Sequence, residues 1–497
     1  MNESTLLTPV GRAASVPSVR SVRRALSWVG AGQVIGQCFW YGSLLILAAL
    51  LAPSTFGTIT VGWLLVSAAM RLMEAGTRGA IITASELARG ELMTRLGLNI
   101  ASGAALSGLI VATAAFVART FAAGADARVI AVLGFSVLLY APAIVPLALL
   151  ERNFQFKRRS LVQTGSTITA ATLAVAAAAL GAGVWALVVR QLLLQLLLAV
   201  SAWIAARRLL PARGGKARWT RLARSGAFGF LIFSLTDMIV FNADYMTVGH
   251  FTDATQLGLY SLAFTLAFAP VIQLSAQIGL VLFPASAASD VETVKRRTIA
   301  GVRLTCLVLV PLVPVAVVLA PDLIPGLLGE KWRGAVLPFQ ILLVVGVAHA
   351  VVNVIGDTLS GSGRIGWRAR VNAVWGAAMV VTLLILVQID GIRGASLSHL
   401  LLYPPVALAY GIWGMRMLGV EPRLLAHALR PIAELVALLS AATVGAWLLM
   451  RASSMPAGPR DVVTAAVSAC AAVAWTATRG GAVVAQARTF LTAGQRV

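Results

Sequence analysis

The sequence predicts an all-α polytopic membrane protein of about fourteen transmembrane helices, arranged as two pseudo-symmetric six-helix lobes plus two C-terminal helices. Three observations carry that reading. The 497 residues are 59% hydrophobic and 12% charged, with a mean hydropathy of +0.87, whereas a soluble domain carries roughly 25% charged residues. Apolar stretches of about twenty residues recur along the chain, the length needed to cross ~30 Å of hydrocarbon. Most of the 40 Lys and Arg residues fall into alternate gaps between those stretches, and basic residues mark the cytoplasmic side.

The elements follow in order. The tail 1–25 carries Arg12, Arg20, Arg23 and Arg24 with no small-residue cleavage site after the next apolar run, so it is read as uncleaved and cytoplasmic. Six spans make an N-lobe over 26–206: 26–51, 56–75, 98–118, 128–150, 161–180 and 184–206. The linker 207–225 holds Arg207, Arg208, Arg213, Lys216, Arg218, Arg221 and Arg224. The gaps on either side are nearly uncharged, Gly181 to Gly183 before it and 250–256 after it, where Asp253 is the one carboxylate. The linker therefore belongs in the cytoplasm, and counting spans outward from it places both termini there. Six spans make a C-lobe over 226–416: 226–249, 256–282, 299–320, 334–356, 371–388 and 394–416. Spans 13–14, within 431–477, are 431–450 and 461–477, and a cytoplasmic tail, 478–497, ends the chain. Pro142, Pro146, Pro270, Pro311, Pro314, Pro404 and Pro405 fall within or beside spans, where membrane helices bend if neighbours satisfy the freed carbonyls.

A repeat relates the two lobes. Arg24 opens one span and Thr55-Phe56-Gly57 the next; Arg224 opens another and Gln256-Leu257-Gly258 its successor. The spacings Arg24 to Gly57 and Arg224 to Gly258 are 33 and 34 residues. Two like halves in the same orientation imply a twofold axis along the membrane normal, and transporters put substrate between such halves. The net charge of +22 is spread over short cytoplasmic segments without a nucleic-acid-binding motif. It fits topology and contact with anionic membrane lipids, not nucleic acid. Cys38, Cys306 and Cys470 sit in separate apolar segments, too scattered for a metal site or a disulfide framework. The zinc-protease His pair, the phosphate-cradling Gly-Lys-Ser/Thr loop and the Gly-x-Ser-x-Gly elbow are all missing, so the chain is not read as an enzyme and no cofactor is expected.

Polar groups inside spans are the candidate functional residues, because each is costly there. Arg190 lies six residues inside span 6, about 9 Å from the outer boundary at 1.5 Å per residue. It either meets substrate or pairs with Asp244, at matching depth in span 7. Arg71 and Glu74 share a face near the inner end of span 2, as a local ion pair or a second cation for an anionic substrate. Asp237 and Asp244 are seven apart on one face of span 7, with Asn242 close by. A carboxylate at that depth suits a coupling H+ or Na+, and interhelical hydrogen bonding is the alternative. Gln273 and Gln277 form an i,i+4 pair on span 8; His349, Asn353 and Asp357 form a stripe on span 10. Such stripes are interhelical glue or ligand contacts.

Several stretches resemble a known family. Leu150-Glu151-Arg152-Asn153-Phe154-Gln155-Phe156-Lys157-Arg158-Arg159 is similar to its basic, aromatic loop after span 4. Asn242-Ala243-Asp244-Tyr245-Met246-Thr247-Val248-Gly249 with Leu257-Gly258-Leu259-Tyr260-Ser261 resembles its span 7–8 hairpin, and Val281-Leu282-Phe283-Pro284-Ala285 the end of its span 8. Gly329-Glu330-Lys331-Trp332 and Ala335-Val336-Leu337-Pro338 resemble the outer loop and start of its span 10, while Glu74-Ala75-Gly76-Thr77-Arg78 departs from its usual acidic-Gly-Leu wording. The family is the polysaccharide-transport branch of the MOP (multidrug/oligosaccharidyl-lipid/polysaccharide) superfamily, the Wzx-type lipid-linked oligosaccharide flippases. The resemblance runs from about residue 20 to 420. It implies a MOP flippase-like fold in a bacterial inner membrane. It also implies movement of undecaprenyl-diphosphate-linked oligosaccharide repeat units for exopolysaccharide, capsule or O-antigen synthesis, with polysaccharide polymerase and assembly proteins as partners. Arg190 and Arg71 would then meet the diphosphate. The rivals are a drug or cation exporter of the same fold, a membrane polysaccharide polymerase or ligase, and a non-transporting scaffold.

Overall fold

The computed structural model describes residues 19–84, 87–121, 123–211, 242–287, 290–453 and 455–480. Long apolar segments leave the backbone no water to bond with, so each closes its own hydrogen bonds as a helix. The helices are α1 (Val19–Leu50), α2 (Pro53–Thr83), α3 (Arg89–Thr120), α4 (Ala127–Tyr140), α5 (Ile144–Arg152), α6 (Phe156–Ala179) and α7 (Trp185–Ala206). After the linker come α8 (242–251), α9 (Ala254–Ala287), α10 (Val291–Leu309), α11 (Leu312–Leu328) and α12 (Val336–Gly361). The chain continues as α13 (Ile365–Ala409), α14 (Met415–Met417), α15 (Pro422–Ala452) and α16 (Ala457–Trp475). Large apolar side chains such as Phe116, Ile389 and Leu449 are well exposed on the outer surface, as a hydrocarbon solvent allows.

Eleven stretches of the described residues are long and apolar enough to cross a membrane. The longest, Ile365–Met417, is 53 residues, about 80 Å at 1.5 Å per residue and far more than a bilayer needs. It is a hairpin. Asp390 (φ −139°, ψ 28°) and Gly391 (φ 51°, ψ −128°) break the helix, and a Cβ on Gly394 would overlap the carbonyl of Leu386. Trp375 meets Tyr403 and Trp367 meets Tyr410, at 5.4 and 4.9 Å between ring centroids. The turn falls between the expected spans 371–388 and 394–416. The expected span 226–249 lies mostly outside the described residues, and Asp237 with it, so the count of fourteen is not reached among them.

Prolines bend the spans where the sequence places them. Pro142 sits in a 3-10 turn, Ala141–Ala143, between α4 and α5, and the Trp203 indole donates to its carbonyl at 2.9 Å. α10 and α11 divide at Pro311 within one apolar stretch, Val291–Leu328. In the first half, α1 packs on α6, α6 on α7, and α2 on α3, α4 and α5; small residues such as Ala170, Ala174 and Ala178 let α6 approach its neighbours. In the second, α12 packs on α9, α10 and α13. The C-terminal pair, α15 and α16, lies against α11, where Arg460 pairs with Asp322 and stacks on Trp447.

Candidate functional site

The two halves meet at one end through their backbones. A Cβ on Gly57, in the first turns of α2, would overlap the carbonyl oxygen of Ala254. One on Gly258, in the first turns of α9, would overlap that of Pro53. The contact is reciprocal, so the two glycines related by the sequence repeat face each other across the pseudo-twofold. Around them the Trp332 indole, fully buried and edge-on to Phe56, donates to Ala48 O at 2.8 Å. Lys331 Nζ donates to Ala49 O at 2.7 Å, Ala254 N to Ala123 O at 3.0 Å, and His250 Nδ1 lies 3.1 Å from Thr120 O. Nearly every acceptor in this seal is a main-chain carbonyl left free at a helix end.

Away from the seal the lobes part. A cavity of about 600 Å³ lies between α1 and α6 of the first half and α9 of the second. Gln273, which lines it, is nineteen residues along α9 from Ala254, about 28 Å at 1.5 Å per residue. Gln37, Gln163, Thr164, Ser160 and Gln277 add amides and hydroxyls, and Trp40, Tyr41 and Phe156 add ring faces. Among the described lining residues Arg159 is the one charge. Its Nη1 lies 2.7 Å from Glu151 Oε1, and its Nε is buried without a hydrogen-bond partner. Glu151 is shared: Arg78 holds the same carboxylate bidentately, at 3.0 and 2.7 Å. The local chain explains this placement, because α5 ends at Arg152 and α6 starts at Phe156, so a four-residue step brings Glu151 and Arg159 together.

The sequence-derived candidates distribute unevenly over this arrangement. Gln273 and Gln277 line the cavity. Arg190 does not; it stacks on Trp40, with the guanidinium carbon 5.5 Å from the ring centroid, and its Nη2 is buried without a hydrogen-bond partner. The Arg190–Asp244 pair is not formed: Asp244 Oδ2 accepts from the Tyr260 hydroxyl at 3.0 Å and lies 3.6 Å from His399 Nε2. Arg71 is exposed on α2 outside the cavity lining. Glu74 accepts from the Tyr140 hydroxyl and lies 3.5 Å from Arg78. Asn242 opens α8. In the span 10 stripe, His349 Nδ1 meets the Tyr403 hydroxyl at 2.6 Å, His349 Nε2 meets Asn353 at 2.8 Å, and Asp357 pairs with Arg368 at 2.7 Å. Sequence reasoning missed Arg159, counted as a loop charge, and His399. The signal for Arg159 was its place in the aromatic-basic stretch 150–159; for His399 it was a lone imidazole within a span.

A pseudo-twofold bundle of long apolar helices, sealed at one end and parted at the other, defines a membrane protein of the MOP-superfamily fold. Its backbone follows that of a lipid II flippase MurJ in an inward closed conformation, with a TM-score of 0.70 at 9% identity, over 91% of this chain and 100% of that one. An inward-facing multidrug resistance MATE family transporter of the MOP superfamily gives 0.59 at 15% identity, over 80% and 98%. Residues 46–337, more than half of the chain, match the family described as polysaccharide biosynthesis protein, and the chain belongs to that family. It is 24% identical to the lipopolysaccharide biosynthesis protein WzxC of Escherichia coli K12, over 72% of this chain and 73% of the relative. It is 23% identical to the teichuronic acid biosynthesis protein TuaB of Bacillus subtilis 168, over 62% and 65%.

Proposed function

We propose that the protein flips an undecaprenyl-diphosphate-linked oligosaccharide repeat unit from the inner to the outer leaflet of a bacterial inner membrane, by alternating access. The observation that carries this reading is the inter-lobe cavity, polar and aromatic, with Arg159 as its charged lining residue. A glycan needs amides and hydroxyls to replace water and ring faces to stack on, and a diphosphate needs a cation. Arg159 offers an unused N–H and a guanidinium fork suited to paired phosphate contacts. A cationic drug would be served by a carboxylate, and none lines the described cavity. The printed functions of the relatives, lipopolysaccharide and teichuronic acid biosynthesis, support the same class of substrate. The basic linker places both termini in the cytoplasm, so the sealed end faces out and the cavity faces the leaflet where such precursors are made.

In this state the ligand would enter from the cytoplasmic half and displace Glu151 from Arg159. Its lipid tail would stay in the bilayer, and opening the seal while closing the cavity would deliver the head group outside. The test is a reconstituted vesicle assay. An undecaprenyl-diphosphate disaccharide carrying a fluorophore on the sugar is placed in both leaflets, and an impermeant reductant bleaches what is exposed. Wild-type protein should make the inner-leaflet fraction bleach, and Arg159→Ala should slow it at least tenfold. Bleaching no faster than in protein-free vesicles would sink the reading; transport of a cationic dye in its place would favour the exporter.

A further inference from the structure

A second polar site lies inside the C-lobe, apart from the inter-lobe cavity. An enclosed void of about 20 Å³ is lined by Asp244 of α8, Phe264 and Phe268 of α9, His349 of α12, Trp375, and His399 and Tyr403 beyond the hairpin turn. That is room for one water molecule. His399 is 7% exposed, and neither of its ring nitrogens has a hydrogen-bond partner. The Trp375 indole N–H, also buried, has none. Asp244 is 3% exposed; its Oδ1 accepts from Tyr245 N at 2.8 Å and its Oδ2 from the Tyr260 hydroxyl at 3.0 Å. His399 Nε2 stands 3.6 Å from that same Oδ2, beyond hydrogen-bond range, with no other donor between them.

We propose that His399 and Asp244 form a proton-binding site, and that this proton is the ion that biases the two access states. The chemistry selects the ion. A hard cation needs a cage of oxygens, whereas this void offers one carboxylate already accepting two hydrogen bonds, two imidazoles and ring faces. No cluster of three or more His, Cys, Asp and Glu side chains able to hold a metal ion occurs among the described residues. One added proton supplies the missing donor. It lands on His399, turns the 3.6 Å gap into a charge-assisted hydrogen bond with Asp244, and neutralises the carboxylate's buried charge. The titratable and charged groups facing the pair are Tyr245 and Tyr260 from α8 and α9, His349 from α12, and Tyr403 from the hairpin. Beyond His349, Asn353 leads toward Asp357 and Arg368.

The site is placed to move the seal. Asp244 and His250 lie on the same short helix, six residues apart, and His250 contacts Thr120 of the other lobe. Closing the Asp244–His399 gap pulls α8 toward the hairpin, away from its inter-lobe partners. A ligand shifts such an equilibrium only through different affinities for the two states, and a pair held open here but closed in the other state provides that difference.

The flippase reading supplies the purpose of this proton but not its test, which needs no lipid-linked substrate. Proteoliposomes on a solid-supported membrane are stepped from pH 8 to pH 6 and the transient charge displacement is recorded. Wild-type protein should give a displacement that saturates with proton concentration and is indifferent to Na+ steps at constant pH. His399→Gln and Asp244→Asn should each reduce it at least fivefold, while His349→Gln retains it. Wild-type-sized displacement in a folded His399→Gln protein would overturn the proposal, and so would a wild-type response to Na+ rather than H+, which involves no variant. A normal displacement in protein that fails to flip lipid would leave the proton site standing and remove the flippase reading.

Discussion

Arg159 is the side chain on which the substrate reading turns. It combines a carboxylate partner on one side with an unsatisfied buried N–H on the other, so an arriving anion completes its hydrogen bonding rather than competing for all of it. Arg159→Lys should keep part of the flipping rate that Arg159→Ala loses, because the charge survives and the planar fork does not; initial bleaching rates in the vesicle assay measure both. Arg190 stands behind Trp40, so Arg190→Ala should cost less than Arg159→Ala, and adding Asp244→Ala should not restore what it costs, since the two residues do not touch. The amide pair Gln273 and Gln277 was legible in the sequence because two amides one turn apart are conspicuous in an apolar span. Arg159 was not, because a charge near a span boundary looks like a topology signal until the fold shows the boundary bending into the cavity. His399 carried no partner within reach along the sequence; Asp244 is 155 residues away.

At the scale of elements, most spans were legible because their boundaries are set by hydropathy and charge, which tertiary packing does not change. The hairpin within α13 shows why. The gap 389–393 between two expected spans contains Asp390, Gly391 and Arg393, and the structure turns there although the hydrogen-bond pattern continues nearly unbroken. Gly391 adopts φ 51° with ψ −128°, a region open essentially to glycine, where another residue costs on the order of 1–3 kcal/mol. Gly391→Ala should therefore lower the unfolding midpoint in detergent by several degrees while leaving the proton-step displacement intact in protein that remains folded. An unchanged midpoint would mean the turn relaxes by other means. The amphipathic start of α10 was also legible: Asp290 caps it, accepting from Thr293 N at 3.2 Å, and those hydrogen bonds hold its carboxyl below the usual range.

At the scale of the molecule, the repeat read from Arg24–Gly57 and Arg224–Gly258 turns out to mark the place where the lobes touch. What the sequence could not give is that the contact is glycine to carbonyl in both directions, since close backbone approach leaves no pattern of its own. Gly57→Leu and Gly258→Leu should each hold the lobes apart at the sealed end. In a background lacking Cys38, Cys306 and Cys470, a cysteine at Trp40 should then react several-fold faster with an impermeant maleimide applied from outside whole cells. Equal labelling with and without the leucine would mean the seal lies elsewhere. Trp332→Ala removes a fully buried indole, a loss of about 3–5 kcal/mol where the space does not collapse, and should open the same route.

A closure written mostly in main-chain atoms also governs how the gene can drift. Every residue type supplies a carbonyl, so Ala49, exposed and contributing its oxygen to Lys331, can change side chain without changing the contact. Glycine is different, because any substitution at Gly57 or Gly258 adds a Cβ where the opposite lobe already is. In a saturation library selected for surface polysaccharide, Ala49 should therefore accept many amino acids, while Gly57 and Gly258 accept almost none. Inheritance of the gate would then rest on a very small number of codons.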